Sequence, residues 1–80
     1  MRAITMQTTD VESTSLASIA YDASRQLLQI EFRDRTTYQY FGVPAEVHDE
    51  LLGAPSKGGY FNRFIRGSFG YSRWVAPFLS

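Results

Sequence analysis

Apolar and polar residues alternate in the first half of the chain, which predicts antiparallel strands. The clearest alternation runs over residues 27–33. Successive side chains of a strand point to opposite faces, so the apolar residues of this segment share one face. They are Leu28, Ile30 and Phe32. Weaker alternation over residues 11–21 and a return segment over residues 36–41 complete the prediction of a three-stranded antiparallel β-meander.

Beyond the third predicted strand, the apolar spacing changes to that of short helices. Pro44 suits the first position of a helix, which Gly53 and Pro55 then end. A second helix is predicted over residues 59–66, with Gly67 as its cap. The predicted apolar side of this helix consists of Phe61, Phe64 and Ile65. The expected fold class is therefore α+β, a small three-stranded antiparallel β-meander followed by two short α-helices.

The register of the second hairpin decides which sheet face carries Tyr38 and Tyr40. A two-residue loop at residues 34–35 places both tyrosines on the face away from the apolar side chains. A three-residue loop with a bulge shifts the pairing by one residue, so that Tyr38 pairs with Ile30 and Tyr40 with Leu28. The sequence leaves both registers open.

Chain length predicts one domain, which we assign to residues 11–75. Residues 1–10 are interpreted as a flexible lead-in rather than a short edge strand, and residues 76–80 as a C-terminal tail. A chain of 80 residues buries only about 60% of the surface that its unfolded form exposes, so pairing into a dimer would add stability.

Several kinds of chemistry are disfavoured by the composition. The chain has no Cys and one histidine, His48, which we interpret as a solvated helix position. We therefore expect no metal, no cofactor and no catalytic residue, and hence no enzyme. No run approaches the roughly 18 apolar residues of a membrane span, and the first residues lack the apolar core of a signal peptide. These features predict a cytoplasmic protein without a membrane partner.

Charge is divided unequally along the chain although the formal net charge is zero. The first fifty residues hold four basic and eight acidic side chains, whereas the last thirty hold four basic and no acidic ones. The basic residues of that last part are Lys57, Arg63, Arg66 and Arg73. An acid-free, aromatic-rich segment indicates attraction to an anionic partner.

Two groups of residues are candidates for phosphate binding. Ser56, Lys57 and Gly58 precede a predicted helix and combine a hydroxyl, an ammonium and free amides. Their order differs from that of a P-loop, and the alternative is a capped turn in which Ser56 bonds backbone amides. Arg63 and Arg66 lie three residues apart and either continue this basic strip or stabilise the end of the helix dipole.

Tyr38 and Tyr40 are candidates for stacking on nucleic-acid bases, since sheet-borne aromatics bind RNA in this way. The alternative is that both pack in the core. The first functional hypothesis is therefore non-catalytic binding of RNA or another polyanion. The competing hypothesis is a protein-interaction module or a homodimer that uses the aromatic residues between 69 and 78.

Four segments resemble the KTSC domain family, a module found at the C-terminus of some lysyl-tRNA synthetases and as a free-standing small bacterial protein. They are Ile-Ala-Tyr-Asp at 19–22, Leu-Gln-Ile-Glu-Phe at 28–32, Tyr-Gln-Tyr at 38–40 with Val-Pro at 43–44, and the run 54–66 from Ala-Pro-Ser-Lys-Gly-Gly-Tyr to Ile-Arg. The resemblance covers about residues 11–73. It implies RNA binding by analogy with the synthetase context, and it brings no catalytic residues.

Two residues depart from the family pattern. Ala20 replaces a Gly, and a Gly expected in the turn at residues 34–35 is absent. Arg35, in that turn, is a poor residue for the positive φ that tight hairpins demand.

Overall fold

Five strands form one antiparallel sheet in which the spatial order follows the chain. The structure, a computed structural model, describes residues 7–10 and 16–74. The strands are Gln7–Asp10 (β1), Leu16–Asp22 (β2), Leu27–Phe32 (β3), Thr37–Phe41 (β4) and Tyr71–Arg73 (β5). The α+β class is confirmed, but the predicted number of three strands is too low.

Both additional strands lie at sheet edges. Residues 7–10 pair with β2, so the interpretation of residues 1–10 as a flexible lead-in is wrong over this segment. Strand β5 pairs with β4 over three residues, too few for a periodicity to be recognised in the sequence. Residues 1–6 of the predicted lead-in and the predicted tail over 76–80 lie outside the described residues.

The hairpin between β3 and β4 has a three-residue loop, residues 33–35. The Phe32 amide donates to the Thr36 carbonyl at 2.8 Å, and the Arg35 amide donates back to the Phe32 carbonyl at 3.0 Å. Arg35 takes a φ of +76°, the left-handed conformation that closes such a loop. Backbone hydrogen bonding therefore selects the longer of the two loops that the sequence allowed.

This loop fixes the register of β4. Tyr38 lies opposite Ile30 and Tyr40 lies opposite Leu28. Residues that are paired across strands share a sheet face, so both tyrosines project to the side of the buried aliphatic residues.

Two short helical segments cover that face. Helix α1 spans Ala45–Gly53, with Pro44 at its N-cap rather than at its first helical position. Helix α2 spans Lys57–Tyr60 and continues directly into a π-helical turn, Phe61–Ile65. None of the helices within residues 16–74 is long and apolar enough to cross a membrane.

The π-helical turn changes which aromatic residue is buried. The Arg66 amide donates to the Phe61 carbonyl at 2.8 Å, an i→i+5 bond. Phe61 and Ile65 are buried, whereas Phe64 is 50% exposed. The prediction that Phe64 belongs to the apolar side of the helix is wrong, because the wider turn aligns other positions than an α-helix does.

The core lies between the sheet and these helical segments. Its buried side chains come from β2, β3, β4, α1, the π-helical turn and the loop before α1. They are Leu16, Ile19, Tyr21, Leu28, Ile30, Tyr40, Val43, Leu51, Phe61 and Ile65. Each fully buried aliphatic side chain of this kind stabilises a fold by about 1.5–3 kcal/mol.

His48 belongs to the buried side of α1, so its interpretation as a solvated position is wrong. Only 4% of its surface is exposed, and its ring stacks on Tyr21 with centroids 4.5 Å apart. His48 precedes Leu51 by three residues, which puts both on the face turned to the sheet. The acidic neighbours that suggested solvation lie on the other faces.

Candidate functional site

Five aromatic rings at the β5 side of the helix-covered face form a closed circuit of contacts. In order around the circuit they are Phe32, Tyr38, Tyr71, Tyr40 and Phe61. Neighbouring ring centroids lie 5.3–5.9 Å apart. Four contacts are edge-to-face, and only Tyr40 and Tyr71 stack, with 29° between their planes. Such pairs are the favoured geometries of aromatic side chains.

These rings line a groove of about 460 Å³, called the aromatic groove below. Its other lining residues are Leu16, Gly58, Asn62, Arg66 and Gly67. Volumes of about 300–1,000 Å³ are typical of sites for small organic ligands. The groove is therefore large enough to hold a planar ring system.

Each wall of the aromatic groove has a different origin. Strand β4 supplies Tyr38 and Tyr40, and the pairing of β5 with β4 places Tyr71 directly opposite Tyr40. Phe61 reaches the groove from the π-helical turn, a type of distortion that is frequent at functional sites. Tyr40 is only 4% exposed and forms part of the floor, whereas Tyr71 is 61% exposed and forms an open wall.

The electrostatics of the aromatic groove favour an anion. Of the described residues that line it, Arg66 is the only one with a formal charge, and none is acidic. The Arg66 Nη1 donates to the Asn62 Oδ1 at 3.2 Å, which orients the guanidinium. Burial raises the pKa of the Tyr40 phenol from its ordinary value, and the nearby Arg66 cation partly offsets this rise. The Tyr40 hydroxyl thus stays protonated at neutral pH.

Four of the seven residues predicted as binding residues come together in the aromatic groove. They are Tyr38, Tyr40, Gly58 and Arg66. Tyr38 and Tyr40 meet Gly58 on the sheet face that carries the core, because α2 and the π-helical turn pack on that face.

The other three predicted binding residues have local partners. The Ser56 hydroxyl accepts from the Gly59 amide at 3.1 Å, so it caps α2. The Lys57 ammonium donates to the Ala54 carbonyl at 3.2 Å. The Arg63 guanidinium lies 5.8 Å from the centre of the Phe64 ring. The predicted basic strip is therefore divided, and the capped-turn alternative describes residues 56–59.

Arg63 and Ser56 line a second, shallow concavity of about 350 Å³ together with the exposed Phe64. The neighbouring Tyr60 hydroxyl donates to the Glu50 carboxylate at 2.7 Å, which raises the pKa of Tyr60 to about 12. This bond ties α2 to α1. The second concavity is open and lacks the enclosing rings of the aromatic groove.

Sequence reasoning missed six residues of the aromatic groove as site residues: Leu16, Phe32, Phe61, Asn62, Gly67 and Tyr71. Tyr71 was assigned to an interaction tail, and Phe32 and Phe61 to the core. The density of aromatic residues in the last thirty positions was the available signal. Among the described residues no three His, Asp or Glu side chains cluster to hold a metal ion.

A five-stranded antiparallel sheet with short helices on one face defines a small α+β domain. Its sequence matches the pattern of the KTSC domain family over residues 12–69, so the chain belongs to this family. The crystal structure of a KTSC domain protein from Yersinia pestis superimposes with a TM-score of 0.85 at 39% identity, covering 89% of this chain and 100% of that one.

Similar sequences occur both in small proteins and as a small part of much longer ones. An uncharacterized protein of Stutzerimonas stutzeri is 39% identical over 61 residues, which cover 76% of this chain and 86% of the relative. A lysine–tRNA ligase of Trichormus variabilis is 42% identical over 62 residues, which cover 78% of this chain and 11% of the ligase. The chain thus spans about a tenth of the length of that ligase.

Proposed function

We propose that this domain binds single-stranded RNA without catalysing a reaction, and that an unstacked base enters the aromatic groove. The observation that carries the proposal is the circuit of five rings with Arg66 as the single charged lining residue. Aromatic faces stack on bases of any sequence, and a guanidinium pairs with phosphate. The groove offers both contacts side by side.

The charge of the aromatic groove argues against a cationic ligand. Aromatic cages that bind ammonium groups act through the negative faces of their rings. Here Arg66 occupies the lining and none of the described lining residues is a carboxylate, so a cation would meet repulsion without compensation. An anion that carries a planar ring is the complementary ligand.

Two further points support RNA and a non-catalytic role. The ligase relatives are named for a reaction on tRNA, and a domain of this type forms part of their chains. The described lining of the aromatic groove also includes no histidine or carboxylate that can act as a general base. Binding is the function that such a lining supports.

Titration of a fluorescent eight-nucleotide RNA with the full chain at 50 mM salt tests the proposal. Base stacking contributes about 1–3 kcal/mol, so Tyr71→Ala should weaken binding roughly 5- to 150-fold. Phe64→Ala is the matched control, because Phe64 is also an exposed aromatic residue but lies outside the groove, so its removal should leave the affinity unchanged.

Absence of binding at 50 mM salt would overturn the proposal, and so would equal losses in the two variants. A single-stranded DNA of the same sequence is the comparison arm. Tighter binding of the DNA would reassign the ligand, since nothing in the stacking contacts distinguishes the two sugars.

Self-association is a second candidate, favoured by the exposed aromatics beside β5. Tyr71 is 61% and Trp74 is 41% exposed, and within the described residues no strand pairs with the outer edge of β5. Edge strands of this kind template pairing with another chain. Sedimentation velocity across a hundredfold concentration range tests it, and a constant monomer would exclude it.

A further inference from the structure

Two arginines flank the aromatic groove, Arg66 from the helical side and Arg73 from β5. We infer that the groove region holds two consecutive nucleotides of one strand, with one phosphate on Arg66 and the next on Arg73. This inference rests on the proposed RNA binding and adds to it the length of the bound segment and the residues that fix it.

The inference depends on the side chains that the pairing of β4 with β5 places next to one another. Tyr38 lies opposite Arg73, and Tyr40 lies opposite Tyr71. Paired residues share a sheet face with Cβ atoms about 4.5–5.5 Å apart, so all four side chains leave the same face. Tyr38 and Tyr40 are two residues apart, or roughly 6.7 Å along the strand. These four side chains therefore form two successive cross-strand pairs. The pair of Tyr38 with Arg73 is called the Tyr38 step below, and the pair of Tyr40 with Tyr71 the Tyr40 step.

Arg66 belongs to the Tyr40 step. It lines the groove, it is exposed, and its Nη1 is held at 3.2 Å from the Asn62 Oδ1. Its charge is close enough to Tyr40 to oppose the burial-induced rise of that phenol's pKa. The remaining guanidinium donors of Arg66 are free to reach a phosphate.

Arg73 belongs to the Tyr38 step, beyond the lining of the groove itself. It is exposed, and among the described residues no hydrogen bond or salt bridge involves its guanidinium. Asp34 interacts with it electrostatically: hydrogen bonds from Thr36 lower the pKa of the Asp34 carboxyl most, and the Arg73 charge adds to this lowering. That carboxylate already accepts from the Thr36 hydroxyl at 2.6 Å and the Thr36 amide at 3.0 Å. Arg73 is thus available to an external anion.

A single nucleotide carries one phosphate and satisfies one of these arginines. A strand with a phosphate at every residue satisfies both, while its bases occupy the rings that lie between them. Two cations separated by one step of aromatic side chains thus match a repeating polyanion with planar bases better than they match a mononucleotide.

The salt dependence of binding counts the phosphates. For single strands the logarithm of the binding constant falls with the logarithm of salt by about 0.7 per neutralised phosphate. Between 50 and 200 mM salt, two phosphates predict about a sevenfold loss of affinity for the eight-nucleotide RNA. Arg66→Gln and Arg73→Gln should each reduce this loss to roughly two- to threefold. Arg63→Gln removes the same charge outside the groove and should leave it at about sevenfold.

The outcomes separate this inference from the proposed function. If the RNA binds and Arg73→Gln keeps the sevenfold salt effect, the two-step inference is wrong and RNA binding stands. The same holds if a mononucleotide binds as tightly as a dinucleotide that also carries a terminal phosphate, and thus two phosphates. If Arg63→Gln lowers the salt effect as much as the other variants do, the phosphate contacts are diffuse and the inference is again wrong. If polyphosphate, which has no bases, displaces the RNA with equal affinity, the role of the groove itself is refuted.

Discussion

Arg35 stands in a backbone conformation that favours glycine. Its φ of +76° closes the β3–β4 loop. A non-glycine residue in the left-handed region costs on the order of 1–3 kcal/mol. The strained residue thus lies in the loop that sets the register of Tyr38 and Tyr40.

Replacing Arg35 by glycine should stabilise the protein by about 1 kcal/mol, because the relief of strain exceeds the added entropy of the unfolded chain. Urea unfolding measures the change. Arg35→Ala is the matched control, since it removes the same side chain but keeps the disfavoured φ. Equal stability of the Gly and Ala variants would show that the backbone is not strained.

His48 is a buried base without full hydrogen bonding. Its Nε2 has no hydrogen-bond partner among the described residues, and its Nδ1 lies 4.0 Å from the exposed Asp49 carboxylate. Burial lowers the pKa of His48 below its ordinary value of 6.5, and Asp49 opposes this only in part. The neutral imidazole is the form that the folded state prefers.

The unfolded state therefore binds a proton at His48 more readily than the folded state does. We expect neutral His48 to contribute its full share to the stability of the folded state above about pH 6.5. This contribution should be lost as the pH falls toward the lowered pKa that His48 has in the folded state. Thermal melts at pH 7.5 and 5.5 measure this loss. His48→Phe keeps a ring on Tyr21 and should show a smaller decrease in melting temperature. An identical decrease in both proteins would assign the pH dependence to other groups.

At the scale of elements, the turn between α1 and α2 depends on one hydroxyl. Ser56 caps α2 through the Gly59 amide, and an added Cβ at Gly59 would lie 2.9 Å from the Ser56 hydroxyl oxygen. The cap and the glycine are therefore coupled. This turn also presents Gly58 to the aromatic groove.

Ser56→Ala should cost about 1 kcal/mol of stability through the lost cap. Gly59→Ala should be destabilising alone, because its methyl group displaces the Ser56 hydroxyl. In the Ser56→Ala background the same change should be neutral or stabilising, since alanine favours a helix by roughly 1 kcal/mol over glycine. A double-mutant cycle in urea measures the coupling, and strictly additive effects would contradict it.

Much of the element structure was predictable, because it depends on local patterns. The alternation over β3 and the resemblance to the KTSC family are confirmed, and the helix predicted to begin at Pro44 begins one residue later, at Ala45. The edge strands β1 and β5 were missed, since short strands are specified by the neighbours they pair with rather than by their own sequence. The π-helical turn left no local signal.

At the scale of the whole molecule, the aromatic groove shares Leu16, Tyr40 and Phe61 with the core but also uses Tyr71 from β5. The buried cluster uses β2 to β4, α1, the loop before α1 and the π-helical turn, whereas every residue of β5 is exposed. Strand β5 also follows the segment matched by the family pattern. We therefore expect folding and the proposed RNA binding to depend on β5 to different degrees.

A chain that ends after Gly70 should keep its circular dichroism spectrum and a single cooperative unfolding transition, at a lower midpoint. It should lose RNA binding, because Tyr71 and Arg73 are removed. A chain that ends after Trp74 retains both residues and is the control for removal of the last six positions. An unfolded 1–70 chain would show that β5 is required for the fold.

The sequence by itself determined the α+β class, three of the strands, both helical segments and the family, because periodicity, capping and turn residues act over a few positions. It also supplied four residues of the aromatic groove, though not the reason that they meet. Tertiary structure decided the register of Tyr38 and Tyr40, the burial of His48 and the position of Tyr71 opposite Tyr40. These depend on hydrogen bonds and packing between residues distant in the chain, which no local pattern encodes.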